Sequence, residues 1–234
     1  MNLIVDIGNT RTKVAFVEGN SIEKIEFIES INIPLLQEKY CNENIIISSV
    51  KNLDINMELS SGQFIFDNKT SLPIKNEYKS RSVGMDRLAA AVGAFDSFPN
   101  ENCLIIDMGS AITIDFLTEK AIYKGGVISL GMSFRFQALH NFTSKLPLID
   151  EKGPVSICSD NTEEAIRSGV VNSILFELES YINIYKEKYP NIKIILTGGD
   201  SKYFAKQFKN RIFADENLVL LGLNRILNYN VDKI

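Results

Sequence analysis

The sequence predicts an α/β protein built from two related domains, and three observations carry that prediction. The first is a repeat. LIVDIGNTRTKV at 3–14 and LIIDMGSAITID at 104–115 each run three apolar residues into Asp, an apolar residue, Gly and a short polar stretch containing Thr. The second is that each copy opens a run of three strands followed by mixed helix and strand. The third is size: 234 residues make one large domain or two small ones with a real core. A repeat this long is not a solenoid unit. It places a boundary near Pro99–Asn102, giving domains 1–100 and 101–234. No low-complexity linker separates them, so the halves are expected to pack directly.

The elements follow in order. MNLIVDIG is a buried strand ending at a Gly turn. TKVAFVEGN and SIEKIEFIE give two more strands joined by tight turns. IPLLQEKYCNE reads as a short helix and NIIISSV as a strand. Residues 51–76 are irregular, with FIF as a strand and SLPIK extended around Pro73. MDRLAAAVGAFDSF carries apolar residues at helical spacing and is ended by SFPNEN. The pattern then restarts: CLIIDMG, AITIDFLTE and AIYKGGVISL are strands and GMSFRFQALHNFT is a helix. EEAIRSGVVNSILFELESYINIYKEKY is one long helix or two, ended by Pro190. IKIILTGG is a strand entering a Gly turn, DSKYFAKQFK a helix, and NLVLLGLNRILNYN closes the chain.

Composition narrows the function classes. The chain is 45% apolar and 23% charged, as soluble globular proteins are. A net charge of −4 without a basic cluster argues against nucleic acid as a partner. The longest apolar runs, such as CLIID and IKIIL, fall far short of a membrane span. The N-terminus enters LIVDIG with no basic region or cleavage site, so no signal peptide is expected. Cys41, Cys103 and Cys158 are odd in number and widely spaced, which fits a reducing compartment and no zinc site. His140 is the only histidine, so a Ser-His-Asp triad or multi-histidine metal site would rest on it alone. A partly buried helix residue is the reading favoured for it.

The repeated motif has a chemistry. A strand ending in Asp-x-Gly places a carboxylate at a strand mouth, and Gly lets backbone approach a ligand. The polar residues that follow, Asn9, Thr10 and Ser110, offer hydroxyls, an amide and turn N–H groups that can form an anion nest. Carboxylate plus nest suits a nucleotide with its metal ion, and two copies across a cleft could grip one triphosphate. The alternative is an ordinary strand corner whose Asp satisfies turn N–H groups. Two copies in matched contexts weigh against it. Neither the G-x-x-x-x-G-K-[ST] loop nor the G-x-G-x-x-G fingerprint is present. Lys13 could neutralise phosphate or simply face solvent. LTGGDS at 196–201 puts Gly198 and Gly199 where a flat group could lie against backbone, and KGGVISLG at 124–131 is a second Gly-rich strand.

Taken together, DIGNTRTK, VGMDR, DMGSAITIDF, GGVISLG, FTSKLP and NTEEAIRSG resemble, in that order, the type III pantothenate kinases. The resemblance covers nearly the whole chain. It implies duplicated ribonuclease-H-like domains of the actin-like ATPase superfamily, with a nucleotide cleft between them. It also implies ATP-dependent phosphorylation of pantothenate, the first step of coenzyme A synthesis, by a cytoplasmic homodimer whose active site is near the subunit interface. Asp6, Ile7, Gly8, Asn9, Thr10, Arg11, Thr12 and Lys13 would form the first phosphate turn, with Asp6 near Mg²⁺. Asp86 would be the general base. Gly84, Met85 and Arg87 would line the pantothenate pocket, with Tyr78 and, from the other subunit, Thr162 in contact with substrate. Asp107 would bind a monovalent cation, potassium or ammonium, and Ser110 a phosphate of ATP.

Physical chemistry stands beside this. Phosphoryl transfer asks for positioning and charge neutralisation, and a carboxylate near the attacking hydroxyl orients it and takes its proton. Asp86 could instead only cap the helix that follows. Three departures from the family pattern stand out. Ser110 replaces the usual Thr and keeps the hydroxyl. Leu130 replaces a usual Pro, loosening that loop. The segment between Tyr78 and Asp86 is one residue short. A kinase of another small alcohol or sugar from the same superfamily, or a non-catalytic nucleotide-binding regulator, are the rival readings.

Overall fold

The structure, a computed structural model, describes residues 1–8, 11–29, 32–50, 61–80, 82–149, 153–208 and 212–231. The chain divides into two compact units. The first holds Met1–Asn100, Phe116–Gly125 and Asn217–Ile234, and the second holds Glu101–Asp115 and Gly126–Glu216.

In the first unit, β1 (Asn2–Ile7) pairs antiparallel with β2 (Thr12–Glu18), and β2 pairs antiparallel with β3 (Ser21–Ile28). The near-continuous apolar run of β1 follows from its central place, because β4 (Asn44–Ser49) lies parallel on its other side, followed by β5 (Gln63–Ile65). The sheet order is β3-β2-β1-β4-β5. One face packs Leu3, Val5, Ile7, Val14, Ile45 and Ile47 against Ile33 of α1 (Ile33–Lys39). Asn32 caps that helix by accepting a hydrogen bond from the Leu35 N–H at 3.1 Å.

The helices α2 (Met85–Ser97) and α6 (Leu218–Val231) pack together closely. A β-carbon on Gly222 would overlap the carbonyl of Ala89, and one on Gly93 the carbonyl of Leu218. The closing segment NLVLLGLNRILNYN is therefore a helix of the first unit, far in sequence from its partners. A buried amide cluster fastens it. Asn2 donates to the side-chain oxygens of Asn224 and Asn228, each at 2.7 Å, and Asn224 donates to the Gly19 carbonyl at 2.9 Å. The short strand β6 (Lys75–Asn76) pairs with the start of β9 (Ile122–Leu130).

The second unit repeats the plan. β7 (Cys103–Met108) has the same burial sequence as β1, and the strand order β9-β8-β7-β10-β11 repeats β3-β2-β1-β4-β5. Here β8 is Ala111–Leu117, β10 is Lys193–Thr197 and β11 is Phe213–Ala214. β10 lies parallel to β7 and to β11. The segment read as one helix or two is a single helix, α4 (Thr162–Lys188). Asn161 caps it by accepting from the Glu164 N–H at 3.0 Å, and Glu163, Glu164, Lys186 and Lys188 are placed to suit its dipole. It stops at Tyr189 because Pro190 disfavours helical geometry there. α3 (Met132–Asn141) matches its expected span, while α5 (Ser201–Ala205) is half the expected length, and β11 was not foreseen. His140 departs from expectation: it lies on α3 but is exposed, its Nδ1 2.9 Å from the Leu146 carbonyl.

Candidate functional site

In the first unit the functional side chains gather at the C-terminal end of β1. Asp6 is the last residue but one of that strand. Its register partner on β2 is Lys13, and on β4 it is Ser48. The turn beyond is closed by the Gly8 N–H donating to the Arg11 carbonyl at 3.0 Å. Ile7 turns its side chain into the core, and its carbonyl accepts from the Val50 N–H at 3.1 Å. Thr12 is buried and Arg11 exposed, and Asn9 and Thr10 lie outside the described residues. Burial pushes the Asp6 carboxyl up to about 6. Lys13 pulls against that shift, while the negative Asp86 adds to it. Asp6, Lys13 and Asp86 therefore share one electrostatic neighbourhood.

Asp86 is the second residue of α2, whose N-cap position is occupied by Gly84. The capping role left open for Asp86 is thus not the one it takes. Its Oδ1 instead accepts from the Arg87 N–H at 2.8 Å. A β-carbon on Gly84 would collide with that same oxygen, which accounts for Gly in VGMDR. Met85 is half-buried beside it. Arg87 is buried, and its guanidinium lies 5.4 Å from the centre of the Tyr78 ring, a cation–π contact. Tyr78 also packs on Tyr123 at 6.3 Å. Gly125, at φ +84°, has no β-carbon to strike that ring. Next to Tyr78, Lys124 and Lys75 hold the Glu77 carboxyl down to about 2. Tyr78, Gly84, Asp86 and Arg87 thus form one cluster despite the shortened segment.

In the second unit Asp107 occupies on β7 the position Asp6 has on β1. Its register partner on β10 is Thr197. Gly198 follows at φ +87°, and a β-carbon there would collide with the Asp107 carboxylate and lie 2.6 Å from the Met108 carbonyl. Gly199 has open space beside it. The turn carrying Ser110 is braced by Gly131, whose N–H donates to the Ser110 carbonyl at 3.0 Å; a β-carbon on Gly131 would overlap the Gly109 carbonyl. The KGGVISLG glycines are thereby explained by packing. Leu130 is half-exposed, and its carbonyl accepts from Arg135 Nε at 2.8 Å. Arg135 also donates to Ser129 and Ser173 and pairs with Glu177, tying β9 and α3 to α4.

Thr162 lies elsewhere in the second unit, in the wall of an apolar cavity of ≈ 790 Å³ formed by α3, α4 and the segment between them. Phe142, Leu139 and Leu146 line it as well.

Among the described residues no cluster of three or more His, Cys, Asp or Glu could hold a metal unaided. The donor set still fits magnesium, which keeps several waters and takes one or two carboxylates together with substrate phosphates. Two residues escaped the sequence reading. Ser48 and Thr197 are buried hydroxyls without a hydrogen-bond partner. The signal was present, since IIIS and IILT carry these hydroxyls at or next to the C-terminal ends of the two strands that pair with the two Asp-bearing strands.

Comparison with known proteins identifies relatives along nearly the whole chain. The type III pantothenate kinase family model matches residues 2–183. A type III pantothenate kinase of Bacteroides fragilis is 41% identical, covering 100% of both chains. One from Azobacteroides pseudotrichonymphae is 44% identical over 98% of this chain and 97% of its own. Among solved structures, a Campylobacter jejuni protein described as a candidate Baf family transcriptional activator aligns with TM-score 0.68 at 22% identity, covering 98% of this chain and 99% of that one. The Clostridium difficile activator of 2-hydroxyisocaproyl-CoA dehydratase, solved with ADPNP, aligns with TM-score 0.54 at 14% identity, covering 100% and 97%. These likenesses show the fold, the duplicated ribonuclease-H-like fold of the actin-like ATPases.

Proposed function

The chain belongs to the type III pantothenate kinase family, and we propose that it transfers the γ-phosphoryl group of ATP to the primary hydroxyl of pantothenate. The products are 4'-phosphopantothenate and ADP, in the first step of coenzyme A synthesis. The observation that carries this reading is Asp86, held at the start of α2 in the neighbourhood of Asp6 and Lys13 and beside Arg87 and Tyr78. It is an acceptor carboxylate where a phosphate-binding turn and a substrate surface meet within one unit.

Asp86 takes the hydroxyl proton as the oxygen attacks the γ-phosphorus, and ADP leaves with the bridging oxygen. Its bond from the Arg87 N–H fixes the carboxylate at the start of α2. Arg87 and Tyr78 present a polar and an aromatic surface to pantothenate, flanked by Gly84 and Met85. Lys13 and the residues from Gly8 to Thr12 neutralise and hold phosphate oxygens. Asp6 would hold Mg²⁺ and Asp107 a monovalent cation, potassium or ammonium, and these ions would offset the phosphate charge. Ser110 contacts a phosphate, and Gly198 and Gly199 let the nucleotide approach backbone.

The expected result is ADP release that depends on pantothenate and falls when potassium is replaced by a large non-coordinating cation. Turnover with sugars and none with pantothenate would overturn the substrate. Equal rates in both salts would remove the Asp107 cation.

We place a second copy of the chain against the apolar cavity that contains Thr162. Phe142 is 89% exposed at its edge, with Leu130 and Leu148 exposed nearby, and a homodimer would cover them. Thr162 would then reach the partner's pantothenate. Phe142→Asp is expected to shift the sedimenting species from dimer to monomer and to lower turnover. A wild-type monomer would sink this assignment. No helix among the described residues is long and apolar enough to cross a membrane. The three free cysteines favour a cytoplasmic setting.

A further inference from the structure

Among the described residues each unit buries one hydroxyl that has no hydrogen-bond partner, at the same place in the repeated fold. Ser48 is 1% exposed and Thr197 is fully buried. Ser48 is the last residue but one of β4, the parallel neighbour of β1, in register with Asp6. Thr197 ends β10, the parallel neighbour of β7, in register with Asp107. Register partners on parallel strands project from the same face. For the first pair that face is fixed by parity. Leu3, Val5, Ile7, Ile45 and Ile47 form the core on the α1 side, so Asp6 and Ser48 stand on the other side. For the second pair, Gly198 brings backbone directly against the Asp107 carboxylate, one residue beyond Thr197.

A buried hydroxyl left unpaired is costly, and a buried polar group without a partner calls for an explanation. Alanine or valine would fill either place without that cost. The same exception occurs twice, at symmetry-related positions, next to the only residues of the repeat that carry a carboxylate at the strand mouth. Chance unsatisfied groups have no reason to respect the repeat.

We infer that Ser48 and Thr197 are positioning residues, each hydroxyl donating to the carboxylate at its own register position, Asp6 or Asp107, once that carboxylate engages the cation that accompanies bound ATP. Each hydroxyl is unpaired in the structure, and ligand binding turns the carboxylate into its acceptor. The hydroxyls thus favour the bound arrangement over the free one. The effect falls on nucleotide and cation affinity and leaves the proton transfer at Asp86 untouched. This rests on the nucleotide reading of the two Asp turns, and it adds to that reading the groups that orient their carboxylates.

The test uses the full chain with Ser48→Ala and Thr197→Val, and Ser48→Thr and Thr197→Ser as hydroxyl-keeping controls. Melting of the ligand-free protein is followed with and without magnesium and a non-hydrolysable ATP analogue. Ser48→Ala and Thr197→Val are expected to melt at or above the wild-type temperature without ligand. They should show a smaller ligand-induced shift and need about tenfold more nucleotide for half-saturation. In turnover, KM for ATP should rise for both while kcat changes little, and the half-saturating potassium concentration should rise for Thr197→Val. Thr197→Ser and Ser48→Thr should recover most of the shift. A lower ligand-free melting temperature with an unchanged ligand-induced shift would assign the hydroxyls to structural support and overturn the inference. Failure of the wild-type chain to phosphorylate pantothenate, with the analogue shift intact, would strike the substrate reading and leave this one standing.

Discussion

Asp86→Asn is expected to lower kcat by about 10²-fold or more while the protein still folds and still binds MgATP. The amide is nearly isosteric, and its oxygen can still accept from the Arg87 N–H, the bond that now holds the Asp86 Oδ1 at 2.8 Å. The neighbouring Arg87–Tyr78 contact and the Gly84 approach are therefore retained. Losing a negative charge in the first turn of α2 costs about 0.3–1 kcal/mol at most, a small change in stability. What disappears is the group able to take a proton from the attacking hydroxyl. Steady-state ADP release and the melting shift given by a non-hydrolysable analogue separate the two effects. If Asp86 served only the helix terminus, turnover would stay near wild type and only the melting temperature would fall. That result would remove Asp86 as the base.

Much of this architecture was legible in the sequence, for a local reason. Strands such as LIVDI and CLIID are short apolar runs ended by Gly turns, and α2 is an Ala-rich segment with helical spacing. Both signals lie within the segment itself. The repeat revealed a duplicated fold because β1 and β7 must meet the same surroundings. Pairing was less legible. That β4 lies beside β1, and β10 beside β7, depends on residues far along the chain, and with it the placement of Ser48 and Thr197 next to the two Asp residues. The assignment of α6 to the first unit rests on Gly93, Gly222 and the Asn2–Asn224–Asn228 cluster, which carry no local signature. Asp86 shows the same limit at finer scale. VGMDR allowed Asp either as N-cap or as an inward residue of the first turn, and the N-cap is Gly84. His140 read as partly buried from its apolar neighbours, yet those neighbours point elsewhere on α3 and leave it exposed.

Asp6→Asn is expected to make the ligand-free protein more stable at pH 8 and to abolish its stabilisation by MgATP. Burial raises the folded-state pKa of Asp6 from 3.8 to about 6, even with Lys13 opposing. A carboxyl raised on folding stabilises the native chain while it is protonated. That contribution is complete below the unfolded value near 4 and is lost as pH rises through about 6. Above that, the ionised group works against the fold by about 3 kcal/mol, taking one pKa unit as 1.36 kcal/mol. An amide removes the ionisation, though its own buried polar atoms take back part of the gain. The melting temperature of Asp6→Asn at pH 8 should exceed that of wild type by several degrees, and the gap should close as pH falls towards 4. A variant less stable than wild type across that range would contradict the raised pKa. The same substitution takes away the charge proposed to hold magnesium, so the analogue-induced shift and turnover should both collapse, turnover by about 10²-fold or more. A chain selected for stability alone would not keep a carboxylate in that place. Its cost in the free protein and its use in the bound one are the same charge, offset in one case only by Lys13 and in the other by a cation as well.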